Sequence, residues 1–185
     1  MIDVNELRKG TTFTMDGALY KVLKYDHHKP GRGKAYIRTT LRNLRTNATL
    51  QRTFTSGDRV EDARVERRGV QYLYFDGDLY HFMDTGTFEQ LALSALALED
   101  EAQYLKEGMD LVLSTYESEP IELELPTTVD MEVVEMEAAI AGDTAGGVLK
   151  SVTLETGLEV QAPLFVEQGD VIRVDTRTGE YVTRV

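Results

Sequence analysis

The chain has no cysteine among its 185 residues. That excludes disulfides, thiolate metal sites and a cysteine nucleophile, and a cytoplasmic protein is the expectation. No long apolar run occurs, so no membrane span is expected. The N-terminus, Met-Ile-Asp-Val-Asn-Glu, lacks a basic stretch followed by an apolar one, so no secretory leader is expected. Histidine is scarce: His27, His28 and His81 are too few and scattered for a metal cluster, and neighbours on a strand point to opposite faces. No serine lies in a Gly-x-Ser-x-Gly elbow. The run from Gly142 to Gly147 lacks the Gly-Lys-Ser/Thr ending of a phosphate loop. Asp76 and Asp78 flank Gly77 in what reads as a hairpin turn, and the consecutive Glu99, Asp100 and Glu101 fan apart on a helix. No cofactor, no metal and no enzymatic activity are expected.

Positive charge is also in short supply, at 20 Lys and Arg against 32 Asp and Glu, a net of −12. Its distribution matters more than its total. Residues 1–64 hold 13 basic against 7 acidic residues, a net of +6, whereas 65–126 carry −11 and 127–185 carry −7. One third of the chain suits a polyanion and two thirds avoid it. Such asymmetry fits a protein that presents one end to nucleic acid, or meets basic protein partners at the other.

The same three segments separate by pattern. Residues 1–64 read as a small all-β unit similar to SH3 and KOW barrels: Thr11 to Met15, Leu19 to Tyr25, Ala35 to Asn43 and Ala48 to Thr55, with a turn at Asp16-Gly17. Leu19, Leu23 and Tyr25 are expected to share one face. A boundary begins at Ser56-Gly57-Asp58. In 65–126, strands at Gln71 to Phe75, Leu79 to Asp84, Asp110 to Tyr116 and Ile121 to Leu125 surround a helix expected over Ser94 to Lys106, an OB-like order. In 127–185, Val129 to Val134, Val152 to Leu154, Glu159 to Ala162, Val171 to Asp175 and Glu180 to Val185 form a second five-stranded barrel.

The most cationic stretch, His27 to Arg38, joins two strands of the basic unit. Pro30 fixes its own φ, while Gly31 and Gly33 allow positive φ on either side of Arg32, leaving Arg32 free to project. With roughly five residues per arm the tip would stand about 15 Å off the body. Lys29 and Lys34 add charge beside it. Tyr36, Arg38 and Arg42 share the face opposite Ile37, a candidate phosphate-contacting face.

Three motifs together resemble bacterial elongation factor P across essentially the whole chain. They are Lys29-Pro-Gly-Arg-Gly-Lys34 followed by Ala-Tyr-Ile-Arg and Leu-Arg-Asn43; Arg52 to Ala63; and Pro163-Leu-Phe-Val166 with Val174-Asp-Thr-Arg-Thr-Gly-Glu-Tyr181. Ala162 stands where valine is usual. The resemblance implies an all-β protein of three small barrels in an L shape, a KOW/SH3-like domain and two OB-fold domains. It implies a translation factor that binds the ribosome, rRNA and ribosomal proteins, between the P and E sites. There it positions peptidyl-tRNA, stimulates peptide-bond formation and relieves stalling at consecutive prolines. Arg32 would reach the tRNA CCA end near the peptidyl transferase centre, with Lys29, Pro30, Gly31, Gly33 and Lys34 forming the tip loop. Many members carry a lysine there, extended by a β-lysyl-type modification, and a subset with arginine has it rhamnosylated. Arg32 is therefore a candidate modification site with an implied modifying enzyme. Gly142, Asp143 and Thr144 resemble a loop that lies near the E-site codon. A monomer is expected. Two other readings stand beside this one: a paralogue with different stalling contexts, and an OB-barrel adaptor whose acidic units bind a basic protein.

Overall fold

The computed structural model describes residues 1–31, 33–136 and 149–185. These form three antiparallel sheets. The first is six-stranded, from β1 (Ile2–Asp3), β2 (Thr12–Met15), β3 (Ala18–His28), β4 (Tyr36–Asn43), β5 (Thr49–Thr55) and β6 (Arg59–Asp62), in the order β1-β6-β2-β3-β4-β5. Its inward side buries Val4, Leu7, Phe13, Val22, Ile37, Leu41, Phe54 and Val60. Ser56 and Asp58 lie in a turn within this sheet, because β6 returns to pair with β1 and β2.

The second sheet contains β7 (Glu66–Phe75), β8 (Leu79–Asp84), β9 (Gln90–Ser94), β10 (Asp110–Tyr116) and β11 (Glu119–Glu124), in the order β11-β10-β7-β8-β9. The third contains β12 (Thr128–Met136), β13 (Leu149–Leu154), β14 (Glu159–Pro163), β15 (Val171–Asp175) and β16 (Tyr181–Arg184), in the order β14-β13-β12-β15-β16. Both curl so that their edge strands approach, β9 to β11 and β14 to β16. The Asp-Gly turns are where the sequence puts them. Asp16 and Gly17 both take positive φ between β2 and β3. Asp76 accepts from the backbone N–H of Asp78 and Leu79 between β7 and β8.

Two expectations fail for physical reasons. Leu19, Leu23 and Tyr25 do not share a face, because β3 carries a bulge between Val22 and Lys24 that inserts Leu23 as an extra residue. Val22 takes the core position instead, fully buried. The helix over Ser94 to Lys106 is also absent. Gln90–Ser94 is a strand, and the rest is two short 3₁₀ turns, Ala95–Leu98 and Ala102–Tyr104. Breaking the segment lets Leu98 and Leu105 fill the second core while the adjacent Tyr104 turns into the third.

The units meet through side chains. Leu19, Leu44, Ala63 and Ile121 form a buried apolar cluster between the first sheet and the second. Met109 and Leu125 pack against both the second and third cores, and Lys106 Nζ contacts Glu155 Oε1 at 2.7 Å.

Candidate nucleic-acid interface

The site is built on the β3–β4 hairpin. Pairing continues outward to His27↔Ile37 and His28↔Tyr36, so both histidines sit on an exposed strand end rather than in the loop. That leaves residues 29–35 as the connection. Ser56 donates its N–H to the Ala35 carbonyl at 2.9 Å, tying the loop's base to the end of β5. Gly33 has a φ of 103°, a region that L side chains rarely adopt. Gly31 lies outside that region, so of the two glycines only Gly33 uses the freedom that glycine allows. Lys29, Pro30, Gly31, Gly33 and Lys34 are all exposed. Arg32, and likewise Gly142, Asp143 and Thr144, lie outside the described residues.

Strand register turns the outer face of this sheet into a ladder. Cross-strand partners share a face, so β3, β4 and β5 contribute successive rungs: Lys21, Arg42 and Thr49; Lys24, Thr40 and Gln51; Asp26, Arg38 and Thr53; His28, Tyr36 and Thr55. The two middle rungs line a polar groove of about 490 Å³ with Arg52 at its edge. Nearest the loop, His28 meets Tyr36 edge-on at 5.2 Å, and the Arg38 guanidinium lies 5.6 Å from the Tyr36 ring centroid. Cation and aromatic together suit a nucleotide, with charge for phosphate and a π-face for a base.

The cations of this unit divide into two groups. Lys21 pairs with Glu122 at 2.6 Å and Arg45 with Glu119 at 2.7 Å, both across the boundary to the second sheet. The Arg42 Nε donates to Asn47 Oδ1, and the half-buried carboxyl of Glu101, pushed up by burial, feels its charge. By contrast Lys24, Lys29, Lys34, Arg38 and Arg52 are exposed and have no ion pair among the described residues. Alternation puts Arg38 on this face but not Lys24, because the bulge that brings Lys24 opposite Thr40 leaves no trace in the residue types. Alternation also places Arg42 on the right face but cannot register Asn47 holding it.

The turn carboxylates resolve differently. Asp76 Oδ2 lies 2.6 Å from His81 Nε2, and that contact, with two backbone N–H donors, lowers its pKa to about 2. No group of three or more His, Asp or Glu arranged to hold a metal occurs among the described residues.

Three family models match in succession: the elongation factor P (EF-P) KOW-like domain over residues 3–60, the elongation factor P (EF-P) OB domain over 65–123, and elongation factor P, C-terminal, over 129–184. A curated elongation factor P of Moorella thermoacetica (strain ATCC 39073 / JCM 9320) is 53% identical over 184 residues, spanning 100% of both chains. The chain belongs to the elongation factor P family. It is thus a translation elongation factor with the ribosome as partner, and members of this family are not enzymes. The first sheet belongs to a KOW-like domain and the second to an OB domain. Among solved structures, eukaryotic translation initiation factor 5A from Methanococcus jannaschii has a similar fold, with a TM-score of 0.56 and 22% identity. That match covers 66% of this chain and 90% of the other.

Proposed function

We propose that this elongation factor P family member binds the ribosome between the P and E sites and positions peptidyl-tRNA, stimulating peptide-bond formation and relieving stalling at consecutive prolines. The observation that carries the reading is the β3–β4 hairpin, which holds its pairing out to His28 and Tyr36 and carries Lys24 and Arg38, cations with no ion pair among the described residues. A finger of this kind neutralises phosphate without reading sequence. Lys29, Pro30, Gly31, Gly33 and Lys34 present Arg32 to the tRNA CCA end, and Arg38 with Lys24 contacts the RNA backbone. Arg42 has less to offer RNA, since Asn47 already holds its Nε. The acidic second unit stays clear of RNA and keeps the approach to one orientation.

The factor supplies no reacting group. Its contribution is entropic: holding the peptidyl-tRNA end in a reactive geometry removes part of the barrier to a step that the ribosome catalyses. The same reading takes residues 1–64, 65–126 and 127–185 as the three units in an L shape. It makes Gly142, Asp143 and Thr144 a loop near the E-site codon, Arg32 the substrate of a modifying enzyme, and the factor a cytoplasmic monomer.

The test is reconstituted translation of a Pro-Pro-Pro reporter with no factor, with this protein, and with Arg32→Ala. Relief by the wild type and its loss in the variant is the expected result. Equal relief by both would refute the role of the tip. Relief that appears only with protein from its native source would place the modification of Arg32 within the mechanism.

A further inference from the structure

A loop that positions a reacting group has to be aimed as well as built. Lys21 precedes His28 by seven residues on β3, so at ~3.3 Å per residue the far end of the hairpin lies roughly 23 Å away. On that lever a swing of about 10° at the root carries the loop ~4 Å, whereas misplacement on the order of 1 Å already costs a positioned reaction heavily. Whatever fixes the angle between the first and second units therefore controls the site.

The joint between these units has two parts. Its centre is the apolar cluster of Leu19, Leu44, Ala63 and Ile121. Apolar contact is non-directional, so it holds the units together but resists sliding poorly. Beside it stand two ion pairs, with a long hydrogen bond from Asn47 Nδ2 to the Leu96 carbonyl at 3.5 Å. Lys21 Nζ meets both carboxylate oxygens of Glu122, at 2.6 and 2.7 Å. Arg45 forks onto Glu119, with Nη2 at 2.7 Å and Nε at 3.3 Å, a geometry that sets direction as well as distance. Lys21 comes from β3 and Arg45 from the turn after β4, so the contacts are anchored at separate points of the first unit. One contact alone would act as a pivot; two oppose rotation.

We infer that Lys21–Glu122 and Arg45–Glu119 are positioning pairs that set the aim of the hairpin, an inference that rests on the proposed role of the tip loop. They are the two cations of the basic unit that pair with carboxylates of the second.

The absence of cysteine allows clean paired spin labelling at Arg59→Cys and Asp110→Cys, exposed positions on the first and second sheets. Lys21→Glu and Arg45→Glu should each broaden the distance distribution between the labels. Each should also lower the Pro-Pro-Pro rate at saturating factor several-fold, with a smaller change in the half-saturating concentration. The charge swaps, Lys21→Glu with Glu122→Lys and Arg45→Glu with Glu119→Arg, should restore both readouts. Arg45–Glu119 is about half exposed, so its reversal leaves folding intact even where the more enclosed pair does not. Single reversals as narrow in distance as the wild type would overturn the inference, as would swaps that fail to restore the rate. Should the wild type fail to stimulate even as protein from its native source, the proposed function falls, and the distance widths alone then decide for or against the joint.

Discussion

The division of cations into free and committed groups makes a quantitative prediction about salt. Each phosphate neutralised releases counterions, so log K falls against log salt with a slope of about −0.9 per contact for a duplex and about −0.7 for a single strand. Raising salt from 50 to 200 mM should then cost roughly threefold in affinity for every contact made. Lys24 and Arg38 sit on adjacent rungs of the open face without ion pairs among the described residues. Lys24→Gln and Arg38→Gln should each flatten the slope by about 0.7 to 0.9, and the double variant by about twice that. Lys21 and Arg45 belong to the same basic unit but already face carboxylates at 2.6 and 2.7 Å. Lys21→Gln and Arg45→Gln should leave the slope where it is. The assay is equilibrium binding to ribosomes carrying P-site peptidyl-tRNA, at fixed magnesium and several KCl concentrations. If the Lys24 and Arg38 variants run parallel to the wild type, or if all four variants flatten the line alike, the division is wrong.

Two further predictions concern the loop and the acid limb of stability. Gly33→Ala places a Cβ at a φ of 103°, strained by about 1–2 kcal/mol although no atom lies within 4 Å, and should reduce Pro-Pro-Pro relief. Gly31→Ala, outside that region, should be tolerated, and equal losses in the two variants would count against the turn described. Asp76 is held at about 2 by the hydrogen bond from His81 and by two backbone donors, and Asp175 at about 2 by Arg177. Both values lie below the unfolded 3.8, so these acids add stability above about pH 4 that is lost as pH falls toward 2. Asp76→Asn should flatten the melting temperature across that window, and an unchanged acid limb would remove His81 from the explanation.

What the sequence revealed and what it hid divide along the range of the interactions. Alternation along Tyr36–Asn43 and Val171–Asp175 is local, and those strands appear where the pattern puts them. Asp16-Gly17 likewise encodes its own turn. The bulge at Leu23 is decided by pairing with β4, and it displaced the inner face of β3 from Leu23 to Val22. The 3₁₀ turns after Ser94 arise because Leu98 and Tyr104 serve different cores, a demand that helical spacing cannot register. The tip loop was legible as glycine, proline and charge in one run. The ladder behind it was only half legible, since register across three strands chose Lys24, partners from distant segments claimed Lys21 and Arg45, and Asn47 in the adjoining turn claimed Arg42.

Tyr104 links these units in time as well as in space. It is made with the second sheet, yet it is buried among Val129, Met131, Ile172 and Val174 of the third. During synthesis the ring must wait for about 70 residues to follow, several seconds at ~5–20 residues per second. Met109 and Leu125 wait beside it. A nascent second domain therefore leaves the exit tunnel with an open apolar socket, and the last strands of the chain close it. A stop codon placed after β11 would leave that socket unfilled and give a fragment prone to association, whereas one placed before β7 would not.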